Sequence, residues 1–354
     1  WRAGWAGALL AAAALVAVGV AIRRGAAAML AAALLAGLLV DAPLRDAASS
    51  WPPPGWRFVV CDVGQGDGMV LRVGAGSAIV VDAGPAPAPM DRCLADLGVR
   101  QVPLLVITHF HADHVGGLAG VFHRRTIGRI VAGPLHEPAT GFRLALDVLA
   151  AHGRSEADLE PASRGEVLTV GGIALEVLSA PRAMHGTRSD PNNSSLVLRA
   201  TVEGLRILLA GDSEVEEQQE MLRSGAPLDA DVLKTPHHGS AHVDARWIAR
   251  TGAGLAIISV GADNTYGLPA PSLLSMLSDA GMTVLRTDQL SDVALALADA
   301  GWVSAWRGVA ARAAAAPAGT TGIAPRAPPA ASAWHRHLRV TPPCQERMTG
   351  CADG

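Results

Sequence analysis

The residues of this chain that could do chemistry crowd into a few short phrases. The densest is His109-Phe110-His111-Ala112-Asp113-His114, which holds three of the chain's 12 histidines. It follows the apolar strand Leu104-Leu105-Val106-Ile107-Thr108. Side chains two apart share a side of extended backbone, so His109 and His111 can grip one ion. Asp113 and His114 fall where a helix begins, over 115–123; they point elsewhere and suit a second ion. Three imidazoles and a carboxylate are borderline ligands, suited to zinc, manganese or iron. Gly116-Gly117 lets backbone pack close beside them. A polar loop with unrelated histidines would leave the crowding unexplained.

Leu208-Leu209-Ala210-Gly211-Asp212-Ser213 ends an apolar strand in a carboxylate. Asp212 could bridge two ions, one oxygen to each, or could cap the helix that follows from Glu214. Val232-Leu233-Lys234-Thr235-Pro236-His237-His238-Gly239-Ser240 runs a strand into paired histidines. One could complete the second ion's shell, and the other could contact substrate or support a ligand. Lys234 is the only lysine among 29 Lys and Arg residues. It reads either as a phosphate or leaving-group contact or as an ordinary strand-end lysine. Asp62, in Asp62-Val63-Gly64-Gln65-Gly66-Asp67, and Asp82, in Val80-Val81-Asp82-Ala83-Gly84, also end strands. Such carboxylates orient neighbouring ligands; Asp82 is the stronger candidate, and Asp67 is a further candidate to face the same site. The glycines mark tight turns, because no G-x-x-x-x-G-K-[ST] phosphate loop occurs.

These groups need a scaffold, and 354 residues give room for one large domain plus accessories. Half the residues are hydrophobic and 17% are charged, which excludes a disordered polar chain. The net charge of −3 offers no global basic field, so nucleic-acid contact must come from a local patch. Short apolar strands alternate with helical stretches over 57–308, as in a layered α/β protein. Helices are expected at 90–98, 116–123, 142–152, 214–223, 243–251 and 270–280. Residues 3–22 are almost wholly apolar, long enough to cross a bilayer, and 26–40 form a second, shorter run. A signal peptide is the competing reading of the first run, but the basic pair Arg23-Arg24 follows it rather than precedes it. One or two transmembrane helices are therefore expected over 1–40, then a Pro-rich linker at 41–56 and a disordered Ala/Pro-rich tail at 309–354. The chain opens on Trp1 and is read as the C-terminal piece of a longer protein. Its four cysteines suggest neither a zinc ribbon nor a disulfide framework.

The order of the phrases resembles the metallo-β-lactamase superfamily, whose αββα four-layer sandwich is the expected fold. Asp62-Val63-Gly64-Gln65-Gly66-Asp67, Asn192-Asn193-Ser194-Ser195-Leu196-Val197-Leu198, Gly211-Asp212-Ser213 and Lys234 through Ser240 narrow it. Over about 57–300 they resemble the C-terminal domain of the ComEC family, membrane proteins of DNA uptake in natural competence. The resemblance implies two divalent ions, zinc or manganese. It assigns His109 and His111 to the first, Asp113 and His114 to the second, with Asp212 bridging. His237 completes the second shell, and His238 is the alternative. Asn192 stands where hydrolytic members usually carry a third histidine for the first ion. An amide oxygen is a harder, weaker ligand, so that site is expected to bind weakly or to favour manganese or magnesium. Ser195 and Tyr266 complete the candidates for support or substrate contact. Leu268 and Ala270 replace a histidine common in the family beside Pro269.

The implied function is that of a nuclease-like phosphodiesterase that degrades the DNA strand left outside. Asp113 or Asp212 would orient the attacking water, and Lys234, on the first of its two readings, would meet the phosphate or leaving group. Other expected partners are the membrane, the upstream channel portion of the same protein and other competence proteins. The domain is expected on the outer face of the plasma (inner) membrane. The alternatives are another hydrolase on this scaffold, since fold does not fix substrate, and a non-catalytic module that binds DNA or braces the channel.

Overall fold

A computed structural model of the chain describes residues 51–179, 182–299 and 301–307. The expected membrane runs, the linker before residue 51 and the tail at 309–354 lie outside the described residues. Among the described residues, no helix is long and apolar enough to cross a membrane.

Two sheets carry the domain. The first contains β1 (Trp56–Val60), β2 (Met69–Gly74), β3 (Ser77–Val81), β4 (Gln101–Ile107), β5 (Thr126–Ala132), β6 (Leu159–Pro161), β14 (Val293–Ala298) and β15 (Gly301–Trp306). Its order is β15-β14-β1-β2-β3-β4-β5-β6. The second contains β7 (Val167–Val170), β8 (Ile173–Val177), β9 (Leu198–Val202), β10 (Leu205–Leu209), β11 (Val232–Lys234), β12 (Leu255–Ile258) and β13 (Thr283–Arg286), in the order β13-β12-β11-β10-β9-β8-β7.

Sequence pattern explains the layering. β8 alternates, with Ile173, Leu175 and Val177 buried and Ala174 and Glu176 less so; it sends one face inward. β4 is buried from Leu104 to Ile107, the continuous apolar run of a parallel strand covered on both faces. Leu104 and Val106 join Phe58, Met69, Leu198, Ile207 and Ile257 in the core between the sheets. Leu105 and Ile107 face the other way, onto Met90, Leu94, Val121 and Leu149 of the first helical layer. Behind the second sheet, Leu208, Leu233 and Ile258 pack on Met221, Trp247, Leu273 and Leu277. Helix, sheet, sheet and helix are thus joined by three apolar interfaces, the expected sandwich. Each fully buried Leu, Ile or Phe contributes about 1.5–3 kcal/mol.

Several elements depart from expectation. The helix expected over 116–123 is shorter, Leu118–Phe122, and a separate helical turn, Ala112–Val115, precedes it. At the break, a Cβ on Gly116 would lie 2.2 Å from the Pro85 carbonyl oxygen, and one on Gly117 would lie 1.9 Å from that of Ala83. Only glycines allow this approach, which seats the histidine run against the end of β3. β6, β7 and β15 went unforeseen. β6 and β7 close the far edges of the two sheets and are short, and β15 ends the first and is mostly half-buried. The expectation of no disulfide is also corrected. Cys61, just beyond β1, and Cys93, on the helix Pro87–Asp96, form one, with a Cα–Cα distance of 6.0 Å. The intervening hairpin and crossover bring them together, which spacing alone does not reveal.

Candidate metal centre

β3 and β4 run parallel, as do β10, β11 and β12. Their carboxyl ends gather at one rim of the sandwich, where open α/β sheets bind ligands. Asp82 leaves β3, Thr108 and His109 leave β4, and Asp212 follows β10. His237 and His238 follow β11, and Ser259 follows β12.

Asp212 is the hub. Its Oδ2 lies 3.2 Å from His114 Nε2, 3.5 Å from His238 Nε2, and 3.9 Å from the Nε2 atoms of both His109 and His237. Two donor sets meet there. One is His109, His111 and Asp212; the other is Asp113, His114, Asp212 and His238. His109 Nε2 and His111 Nδ1 are 3.0 Å apart, and His238 Nε2 is 3.2 Å from Asp113 Oδ2.

Behind the donors, most rings are gripped at Nδ1, the arrangement that fixes tautomer and direction in metal-binding histidines. Asp82 Oδ2 holds His114 Nδ1 at 2.9 Å. Asp82 in turn accepts from the Thr108 amide at 2.8 Å and hydroxyl at 2.7 Å. The Thr108 and Ser195 hydroxyls lie 3.1 and 3.3 Å from His109 Nδ1. The Ser259 carbonyl accepts from His238 Nδ1 at 3.1 Å, with Asp67 Oδ1 at 3.3 Å. Glu214 Oε1 lies 3.0 Å from His237 Nδ1.

The electrostatics follow from burial against neighbours. Burial holds His109 well below the usual imidazole range and lowers His111, which keeps both neutral and available as ligands. Burial opposes charge on His114 and His238, but it is outweighed. Asp212, Asp82 and Asp113 raise His114, and Asp212 and Asp67 raise His238. Burial likewise opposes ionisation of Asp113 and Asp212, yet the facing imidazoles hold both below the usual carboxylate range. Asp82 is pushed up, because burial exceeds the help from His114.

This donor set fits divalent cations. Imidazole nitrogens and carboxylate oxygens converge, and Asp212 Oδ1 is buried without a hydrogen-bond partner. A buried unpaired carboxylate oxygen is costly, and a cation relieves that cost.

The structure brings His109, His111, Asp113, His114 and Asp212 together, with Asp82, Asp67 and Ser195 behind them. Three sequence expectations change. In the second donor set the place expected for His237 is taken by His238, because both residues are left-handed (φ 46° and 53°) and the turn swings His238 beneath Asp113. Lys234 is fully buried, its ammonium on Asp67 and 3.2 Å from the Gly211 carbonyl. It has no solvent face to offer a phosphate, so the expected substrate contact is corrected to an internal brace. Asp62 accepts from the Gly64 amide and the Ser291 hydroxyl, each at 3.4 Å, and belongs to neither donor set. Asn192 is buried, and its amide nitrogen donates to Glu214 Oε1 at 3.2 Å. Tyr266 is 74% exposed and lines a recess of about 210 Å³ with Gln65 and Asn264. Sequence reasoning missed Glu214, Thr108 and Ser259. Glu214 follows Asp212 by two residues and reads there as an ordinary acidic helix start.

Comparison with known proteins agrees with this geometry. Residues 61–249 match the metallo-β-lactamase superfamily. The chain is 35% identical over 198 residues to ComE operon protein 3 of Bacillus subtilis (strain 168), covering 54% of this chain and 24% of that protein. It is 26% identical over 234 residues to competence protein ComA of Neisseria gonorrhoeae, covering 65% and 30%. It is 27% identical over 271 residues to uncharacterized protein YcaI of Escherichia coli (strain K12), covering 71% and 32%. The chain thus spans about a quarter to a third of the length of these relatives. With more than half its length matched and a donor set of the expected chemistry, the chain belongs to the metallo-β-lactamase superfamily of metal-dependent hydrolases.

Proposed function

We propose that the chain is a metal-dependent phosphodiesterase that degrades single-stranded DNA during natural transformation. One observation carries the reading: two donor sets share the buried carboxylate of Asp212 at one rim of the sandwich. The names of the competence relatives support DNA as the substrate. Divalent ions, when bound, supply Lewis acidity toward a phosphoryl oxygen and lower the pKa of water. The remaining work falls to side chains. Asp113 is 32% exposed at the mouth and is held ionised by His114 and His238, so it can orient a water by accepting a hydrogen bond from it. Asp212 is buried and committed to four imidazoles, which leaves it a structural share of the same task. The loop bearing Tyr266 is rooted at both ends beside His238. Ser259 accepts from that ring, and the Ala270 amide donates to the Gly239 carbonyl at 2.8 Å. Tyr266 therefore offers a flat face on which a nucleobase can stack.

The test is manganese-dependent cleavage of single-stranded DNA by the full chain and by Asp113→Ala. The expected loss in the variant is at least about 100-fold. Equal, negligible activity in both proteins would sink the reading.

A non-catalytic module that binds DNA or braces the channel is the second reading. Asn192, tied to Glu214 in the expected slot of a ligand histidine, favours it. Its signature would be DNA binding that survives chelation without any cleavage. The proposed location is the outer face of the plasma membrane, through segments before residue 51. The Cys61–Cys93 disulfide supports it, because disulfides persist in oxidising compartments. Free thiols at both positions in protein taken from native membranes would oppose it.

A further inference from the structure

The first donor set, His109, His111 and Asp212, is short of a third imidazole. We propose that His237 supplies it, and that Glu214 is the positioning residue that aims it. The inference rests on the metal-dependent reading above.

Four observations converge. His237 Nε2 stands as far from Asp212 Oδ2 as His109 Nε2 does, at 3.9 Å. His237 Nδ1 is held by a buried carboxylate, Glu214 Oε1 at 3.0 Å, as Asp82 holds His114 Nδ1 at 2.9 Å. Both are carboxylate–histidine pairs with the free nitrogen turned toward the shared aspartate, the supporting pattern of metal-ligating histidines. The turn is built to turn both rings: His237 and His238 are successive left-handed residues, and the His237 amide donates to the Gly211 carbonyl at 3.2 Å. Such backbone is costly for residues with a Cβ and marks functional positions. Finally, Glu214 is only 1% exposed and is braced from two sides, by the Asn192 amide at 3.2 Å and by Arg188 Nε at 3.3 Å. A buried carboxylate held this firmly beside one ring nitrogen has the orientation of that ring as its consequence.

Asn192 then becomes a support for Glu214. The competing arrangement makes Asn192 Oδ1 the ligand, since that atom is buried without a hydrogen-bond partner. One experiment separates them. Manganese binding to the chelator-stripped full chain is measured by calorimetry. Cobalt(II) visible absorption reports the ligand set independently of activity. Wild type, His237→Ala, His237→Gln, Glu214→Gln and Asn192→Ala are compared, with thermal melts to check folding. The expected result is two ions in wild type. One of them is weakened on the order of 100-fold in both His237 variants, and about 10-fold in Glu214→Gln, with an altered cobalt spectrum at that ion. Asn192→Ala should weaken it no more than Glu214→Gln does. Unchanged affinities in the His237 variants, or loss of an ion in Asn192→Ala alone, overturns the inference while leaving the metal-dependent function standing. A wild-type chain that binds no ion overturns both.

Discussion

Replacing Lys234 with methionine tests whether this lysine braces the site or meets the substrate. Methionine keeps the length and apolar stem but removes the ammonium. Lys234 and Asp67 are both fully buried, and the ammonium sits between the Asp67 carboxylate and the Gly211 carbonyl. Burial opposes the charge on Asp67, and Lys234 and His238 together hold it ionised. Without the lysine, Asp67 keeps a buried charge answered by His238 and, less strongly, by His114. Breaking one side of a buried pair costs about 3–5 kcal/mol. For a domain of this size that lowers Tm by roughly 6–20 °C. The double variant Lys234→Met/Asp67→Asn removes both charges and should recover most of the loss, since a neutral pair of similar shape is often close to neutral in stability. The assay is thermal unfolding of the four proteins of the cycle, followed by near-ultraviolet circular dichroism, with coupling taken as the departure from additivity. A Lys234→Met protein as stable as wild type but without cleavage would refute the reasoning and return the lysine to the substrate.

Other consequences are open to the same instruments. Serine at Cys61 and Cys93 releases a disulfide that spans 32 residues, and it should cost roughly 3–4 kcal/mol by loop entropy, read by denaturant melts with and without reductant. Asp82→Asn weakens the grip on His114 Nδ1 and should lower the affinity of the second ion about 10–100-fold, read by calorimetry. Asp244 caps the helix Ala245–Thr251, accepting from the Arg246 amide at 2.9 Å, and Asp244→Ala should cost about 1 kcal/mol in thermal melts. Hydrogen bonds from Arg246 lower the Asp244 pKa to about 2. Its contribution is therefore full above the unfolded value near 3.9 and is lost as pH falls through about 2. That slope should vanish in Asp244→Ala.

The sequence was most legible where chemistry and local geometry coincide. A strand that turns into a helix at Ala112 fixes where His109, His111, Asp113 and His114 point, so one phrase revealed both halves of the centre. Asp212 was legible for the same reason, as a carboxylate at the tip of an apolar strand. The choice between His237 and His238 was not, because it depends on two positive φ angles that no periodicity records. Lys234 misled because its partner lies 167 residues away, and burial, not residue type, decides what a lysine can touch. Glu214 was hidden by its place at the start of the helix Val215–Arg223, where an acidic residue needs no special explanation. The edge strands β6 and β7 were hidden by being short, and β15 by being only half covered.

The His237–His238 turn also bears on how this chain can change over time. Two consecutive residues with a Cβ in left-handed backbone burden the fold by about 1–2 kcal/mol each. Glycine at either position would relieve that burden and remove an imidazole. Stability and activity therefore pull in opposite directions at these two positions. A lineage freed from the need to hold ions would gain stability by losing these histidines, while the buried strands that frame them would stay under selection for folding alone.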